Sequence, residues 1–478
     1  MRIIRPSSEQ IDELQRQEKA YYWSNCAELF FAKHGLLMNG SEEPDSINRH
    51  LQVVLRGAKT LIGANDVAVY EGPLDADLLG RLKLRAKTWK ASELDIFFDD
   101  PGSLCGKLVY GTFATKRIPT SSREKTYPKR YTDPDPLWRA RPVRVQFFES
   151  DTTRWTPVLF AGVNNERQPI AMTDGASLVL GVPLFDIIGF NHAMPALSDG
   201  FYKALQVSPL LSIERWLRDQ LIELSRAHGI AIEPIPDWPG GDRGCLSVRH
   251  DYDRDIPVKR LGEILEFYSR ANIKATWFLQ DGKPPPVRQA EMMVEAGHEI
   301  ALHTIASSFT EMQAETRRFR ERYGLQPKGF TCHGGIGSRG HLALHHNRWA
   351  IELGMMYGEF IGRCRGFPHP LIDAASGRPE LFSLILQNCH HSLDLTTKPE
   401  DHQLDFLSKD IPRCLDRGEH VIIMNHPDIH WRELRRLLEG LDTTGVWKAT
   451  LDQAAEWTAR EKYNTLFDRG RNAIPSLC

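Results

Sequence analysis

Four short stretches of this chain bring carboxylates or imidazoles to the end of an apolar run. They are Arg249-His250-Asp251-Tyr252-Asp253, His303-Thr304, Cys332-His333-Gly334-Gly335 and Asn425-His426-Pro427, closing the runs CLSVRH, EIALH, KGFTC and HVIIMN. Neutral imidazoles with one carboxylate suit Zn²⁺ or a similar divalent ion and leave a position open for water. A second carboxylate kept off the ion can take the water's proton, and a histidine across the site can protonate a leaving group. Asp251 and Asp253 are two residues apart, so in extended chain they face the same side. One is then available to the ion and one for base work. The chemistry such a set supports is metal-assisted hydrolysis.

Residues this far apart in sequence need a frame that brings them together. From Cys245 onward, extended runs (CLSVRH, KATWFLQ, EIALH, KGFTC, LFSLILQ and HVIIMN) alternate with helical patterns at 258–271, 287–295, 310–323, 342–353, 401–414 and 431–438. About seven βα units in this length predict a parallel α/β barrel or wound sheet. In a barrel the C-terminal strand ends open into one shared site. Ahead of it, EPIPDWPGGDRG packs three prolines and three glycines into twelve residues and marks a linker at 233–244. Residues 1–232 are expected to form an α+β accessory domain. That domain would hold a helix over 11–37, a small β-meander of VRVQFF, PVLFAGV, QPIAM and ASLVLGV, a tight turn at Asn164-Asn165, and an amphipathic helix over 213–228.

A length of 478 residues requires more than one core, and 41% hydrophobic with 26% charged residues is a soluble globular composition. Sixty Lys and Arg against 62 Asp and Glu exclude a global attraction to nucleic acid or an anionic membrane. No apolar stretch is long enough to span a bilayer, and the first residues lack a secretory pattern. The eight cysteines contain no CxxC pair and read as reduced thiols, so the cytoplasm is the expected compartment. One basic run, Lys116 to Arg144, carries nine Lys or Arg among five prolines. It is either a solvated loop or a holder for an anionic group such as a phosphate.

The strand-end motifs resemble those of the NodB-type polysaccharide deacetylases (carbohydrate esterase family 4), and more closely the divergent branch whose first motif reads RHDxD. The matching residues are SVRHDYD (Ser247–Asp253), IKATWF (Ile273–Phe278), GHEIALHT (Gly297–Thr304), GFTCHGG (Gly329–Gly335) and VIIMNHP (Val421–Pro427). The resemblance spans about residues 245–460. It implies a distorted (β/α)7 barrel that removes an N-acetyl or related acyl group from a sugar. It further implies Asp253 and His303 as metal ligands, Asp251 as general base and His426 as general acid, with the two aspartates open to exchange of roles.

Two positions depart from the family pattern. Ser307 stands where a second metal-binding histidine is usual, and Thr331 where an arginine usually holds the base. His333 is the candidate for the missing imidazole and Arg249 for the missing charge. Arg249, His390 and the backbone of Gly334 are further candidates for contact with substrate. His298, His341, His345, His346 and His430 are read as structural or solvated. The expected activity is removal of an N-acyl group from an N-acylated sugar or glycan precursor, possibly phosphate-bearing, with zinc as cofactor. A deformylase on the same barrel and a non-catalytic glycan-binding relic are the alternatives.

Overall fold

A computed structural model describes residues 2–4, 68–72, 74–91, 93–97, 104–109, 111–115, 136–140, 143–149, 154–163, 166–182, 210–228, 236–333, 343–361, 368–370, 384–389, 391–393 and 401–462. The described residues up to His228 form one compact unit, and those from Pro236 onward a second. Among the described residues no helix is long and apolar enough to cross a membrane.

The first unit holds a seven-stranded mixed sheet in the order Arg2–Ile4, Ala68–Glu71, Ser177–Leu180, Glu166–Thr173, Thr156–Val163, Glu93–Phe97 and Leu104–Val109. Three of the four runs expected in a meander make one, paired antiparallel. The fourth does not join it: Val143–Phe148 pairs instead with Ala86–Ala91. Gln146 on that strand is buried, and its side-chain amide donates to the carbonyl of Leu74 and accepts from its N–H. The amphipathic helix runs over Leu210–Ala227. The helix expected over 11–37, the Asn164-Asn165 turn and seven of the nine basic residues between 116 and 144 lie outside the described residues; Arg139 and Arg144 sit in strands.

The second unit is built on seven parallel strands: β1 (Gly244–Tyr252), β2 (Ala275–Gln280), β3 (Glu299–Thr304), β4 (Gly329–Cys332), β5 (Tyr357–Ile361), β6 (Ile385–Cys389) and β7 (His420–Asn425). Their order is 6-5-4-3-2-1-7. The two-residue strand His391–Ser392, one residue beyond β6, pairs in parallel with β7. The sheet thus curls until its two edges meet. Helices α1 (Val258–Arg270), α2 (Val287–Glu295), α3 (Phe309–Tyr323), α4 (Ala343–Glu352), α5 (Asp401–Asp416), α6 (Trp431–Gly440) and α7 (Leu451–Trp457) complete the unit.

Local sequence explains these elements. Leu261, Ile264, Leu265 and Tyr268 of α1 are buried at the spacing of one helical face. On α3, Ser308 caps the first turn by accepting from Glu311 N, and Gly324 ends the helix in the left-handed region at φ 68°. β1 is buried along its whole length, as expected for a parallel strand covered on both faces. Its side chains alternate: His250 meets Tyr268 of α1, and Tyr252 donates to Gln289 of α2, while Arg249 and Asp251 face the barrel interior and Asp253 follows them at the mouth.

The lower end of the barrel is partly covered. The start of α7 lies across it, with Leu451 N donating to Thr276 Oγ1, Asp452 N to Glu299 Oε2, and Gln387 Nε2 to the Leu451 carbonyl. The segment expected as a linker supplies a buried indole: Trp238 donates to the Gly418 carbonyl at 2.8 Å and packs against His420 and Trp447. Strand β5 was not among the expected runs, and it carries a buried carboxylate, Glu359.

Candidate active site

The strand ends bring Asp251, Asp253, His303, His333 and His426 to one mouth. Asp253, just past β1, is the hub. His303 Nδ1 lies 3.0 Å from its Oδ1, His333 Nδ1 lies 3.3 Å from its Oδ2, and His426 Nε2 donates to Oδ2 at 3.1 Å. The rings of His303 and His333 meet edge to face, 5.1 Å between centroids. His333 is held there by its own N–H, which donates to the Thr304 carbonyl and prolongs the β3–β4 ladder. Its side chain is 39% exposed, so the mouth opens to solvent on this side.

Three of these residues have donor atoms that suit a cation. One atom each from Asp253, His303 and His333 lie mutually within 4.8 Å. Asp253 Oδ1, both ring nitrogens of His303 and His333 Nδ1 are buried without a hydrogen bond. Buried polar atoms are rarely left this way, because each costs about 1–3 kcal/mol. Two imidazoles and a carboxylate are the donor set of a catalytic zinc site, so the residues present fit a divalent ion. Ser307 is elsewhere: its N–H and hydroxyl both donate to Glu311 Oε2, at 2.7 and 2.8 Å.

Asp251 stands apart from that trio. Its Oδ1 accepts from Arg249 Nη1, and its Oδ2 lies 4.0 Å from His303 Nε2. Arg249 is 1% exposed and its Nη2 lies 3.2 Å from Glu359 Oε2. The guanidinium is therefore committed to these two carboxylates inside the barrel. Thr331 Oγ1 donates to the same Glu359 oxygen at 2.7 Å. Glu359 is fully buried, and sequence reading missed it. The signal was present as a carboxylate inside the apolar stretch YGEFI.

The electrostatics divide the carboxylates. Burial alone would raise both aspartates. Three imidazoles beside it, those of His303, His333 and His426, hold Asp253 far below the usual carboxylate range, and the charge of Arg249, then of His303 and His426, lowers Asp251. Burial raises Glu359 against the pull of Arg249 and Thr331. Glu315 of α3 braces the loop after His303 by accepting from Thr304 Oγ1 and Ile305 N, and burial pushes it up to about 7.

The remaining candidates have varied positions. Gly334, His390 and His341 lie outside the described residues, and only the backbone of His345 is described, in α4. His298 is buried below the site and accepts from Ala275 N at 2.8 Å. His346 is buried with Nε2 2.8 Å from the Ala306 carbonyl, and His430 is buried at the start of α6. His391 faces Asp410 of α5 at 3.0 Å.

No family model matches the chain, and no curated protein matches it. Solved structures do. A putative polysaccharide deacetylase from Mycobacterium smegmatis aligns with TM-score 0.36 and 16% identity, covering 47% of this chain and 93% of that one. An allantoinase, PuuE, aligns with TM-score 0.37 and 18% identity over 48% and 95%. The chitin deacetylase of the fungal pathogen Colletotrichum lindemuthianum aligns with TM-score 0.31 and 14% identity over 44% and 87%.

Proposed function

We propose that the chain is a metal-dependent hydrolase that removes an N-acyl group, acetyl foremost, from a sugar or glycan precursor. The observation that carries this reading is the trio Asp253, His303 and His333, whose donor atoms converge while four of them lack a hydrogen bond. A divalent ion such as Zn²⁺ held by that trio would polarise the acyl carbonyl and lower the pKa of a water towards neutrality. Asp251, kept ionised by Arg249, takes the proton of the attacking water. His426, on the other side of Asp253, carries a proton to the departing amine, and its bond to the Asp253 carboxylate keeps the ring oriented. Ser307 and Thr331 motivated a non-catalytic reading. His333 in the trio and Arg249 beside Asp251 support an active enzyme instead.

Elemental analysis of the purified protein beside Asp253→Ala, His303→Ala and His333→Ala tests this. The expectation is about one divalent ion per chain, as in mononuclear sites, lost in each variant. Full metal content in His333→Ala removes that residue from the set, and a metal-free wild type after zinc loading refutes the hydrolase reading. Release of acetate against formate from N-acylated glucosamines then separates a deacetylase from a deformylase.

A further inference from the structure

Below the mouth, three strands place a charged network behind Asp251. Arg249 of β1 bridges Asp251 and Glu359 of β5, and Thr331 of β4 holds Glu359 through its hydroxyl. Arg249, Glu359 and Thr331 are all buried. The guanidinium also lies over the ring of Phe278, 5.5 Å from its centroid, which fills the space beside it. Burying an ion pair costs desolvation that apolar packing avoids, so such a network is weak evidence of stability alone. Its geometry offers another use. Asp251 can meet Arg249 in one orientation only as long as the guanidinium does not swing, and Glu359 grips the far nitrogen of the same fork.

We infer that Glu359 is a positioning residue for Asp251, acting through Arg249, with Thr331 fixing the rotamer of Glu359. The chain of contacts is continuous: Thr331 hydroxyl to Glu359 carboxylate, carboxylate to Nη2, Nη1 to Asp251. Glu359 touches neither substrate nor the metal trio. Its loss frees Arg249 to rotate, and the proton-accepting oxygen of Asp251 loses its aim. Misplacement of a reacting group by about 1 Å costs on the order of 10²-fold in rate. This inference rests on the hydrolase reading above.

The test uses the zinc-loaded full chain with 4-nitrophenyl acetate and N-acetylglucosamine oligomers as probes. Glu359→Leu removes the buried charge with similar volume, so its thermal stability is expected to equal or exceed that of the wild type. Its kcat is expected to fall about 30- to 100-fold with KM and metal content unchanged, the mark of an interaction made only in the transition state. Glu359→Gln, which can still accept from Arg249 and Thr331, should recover most of that loss. Thr331→Val should lose less, about 3- to 10-fold, because the contact of Glu359 with Arg249 remains. If Glu359→Leu does not fold, the Gln and Val variants decide. A folded Leu variant with wild-type kcat, or a Val variant with no loss where Leu fails to fold, overturns the positioning role alone. A wild type that turns over neither probe overturns the hydrolase reading and the role together.

Discussion

Replacing Gly329 by alanine tests how the barrel holds its site. Gly329 opens β4, the strand that leads to His333, and the ring of Tyr357 from β5 lies directly over it. A Cβ there would sit 2.1, 2.2 and 2.4 Å from three ring atoms, at closest 1.3 Å inside the 3.4 Å where ordinary contact begins. The ring cannot yield freely, because Tyr357 is fully buried and its hydroxyl donates to Glu299 at 2.8 Å. Overpacking costs about 1–3 kcal/mol, and breaking the Tyr357–Glu299 bond about 1–3 kcal/mol more. A total of about 2–6 kcal/mol would be a large part of the roughly 5–15 kcal/mol that a folded domain possesses. The urea midpoint should fall by about 1–2 M with an unchanged slope. Tyr357→Leu should restore part of the loss in the double variant, since the two residues compete for one space. Equal midpoints for Gly329→Ala and wild type, or strict additivity in the double variant, would refute the packing argument.

Three further outcomes follow from the site and its surroundings. His426→Ala should slow amide hydrolysis by about 10²–10⁴-fold, the usual worth of a general acid, yet barely affect 4-nitrophenyl acetate, whose phenolate leaves unprotonated; equal losses on both would deny His426 that role. Ser307→Ala should leave the metal content unchanged, and loss of the ion would place Ser307 in the ligand set after all. For the metal-free protein, stability should peak near pH 6.5. Burial lowers His250 and His420 to about 3 and His298 to about 4, so the unfolded chain alone takes up their protons as pH falls below 6.5. Burial raises Glu299 to about 8 and Glu315 to about 7, so the folded chain alone keeps their protons as pH rises above 6.5, until they leave near 7–8. A midpoint that climbs steadily from pH 5 to 8 would contradict this balance.

Much of the barrel was legible because its information is local. Apolar runs ending in Asp251, His303, His333 and His426 mark the strands, and helices such as 287–295 begin and end where apolar spacing and proline require. What stayed hidden depends on pairing across the sheet. β5 is short, and its apolar run is broken by Gly358 and Glu359, so it resembles a loop until Arg249 arrives from β1. The direction of the Arg249 side chain was equally invisible: an arginine two residues before Asp251 could face the mouth or the core. Trp238 sat in a segment whose prolines and glycines announce a connection, and its bond to Gly418 and its contact with His420 of β7 explain why an indole belongs there.

The helix across the lower end of the barrel also bears on turnover. With α7 bonded to β2, β3 and β6, the described residues leave the ion site open on the side of His333, whose side chain is 39% exposed. For the proposed reaction, the acid cut from the acyl amide and the incoming substrate would share that approach. Free acetate in the medium is then expected to compete with new substrate for the same space, and turnover to slow as product accumulates.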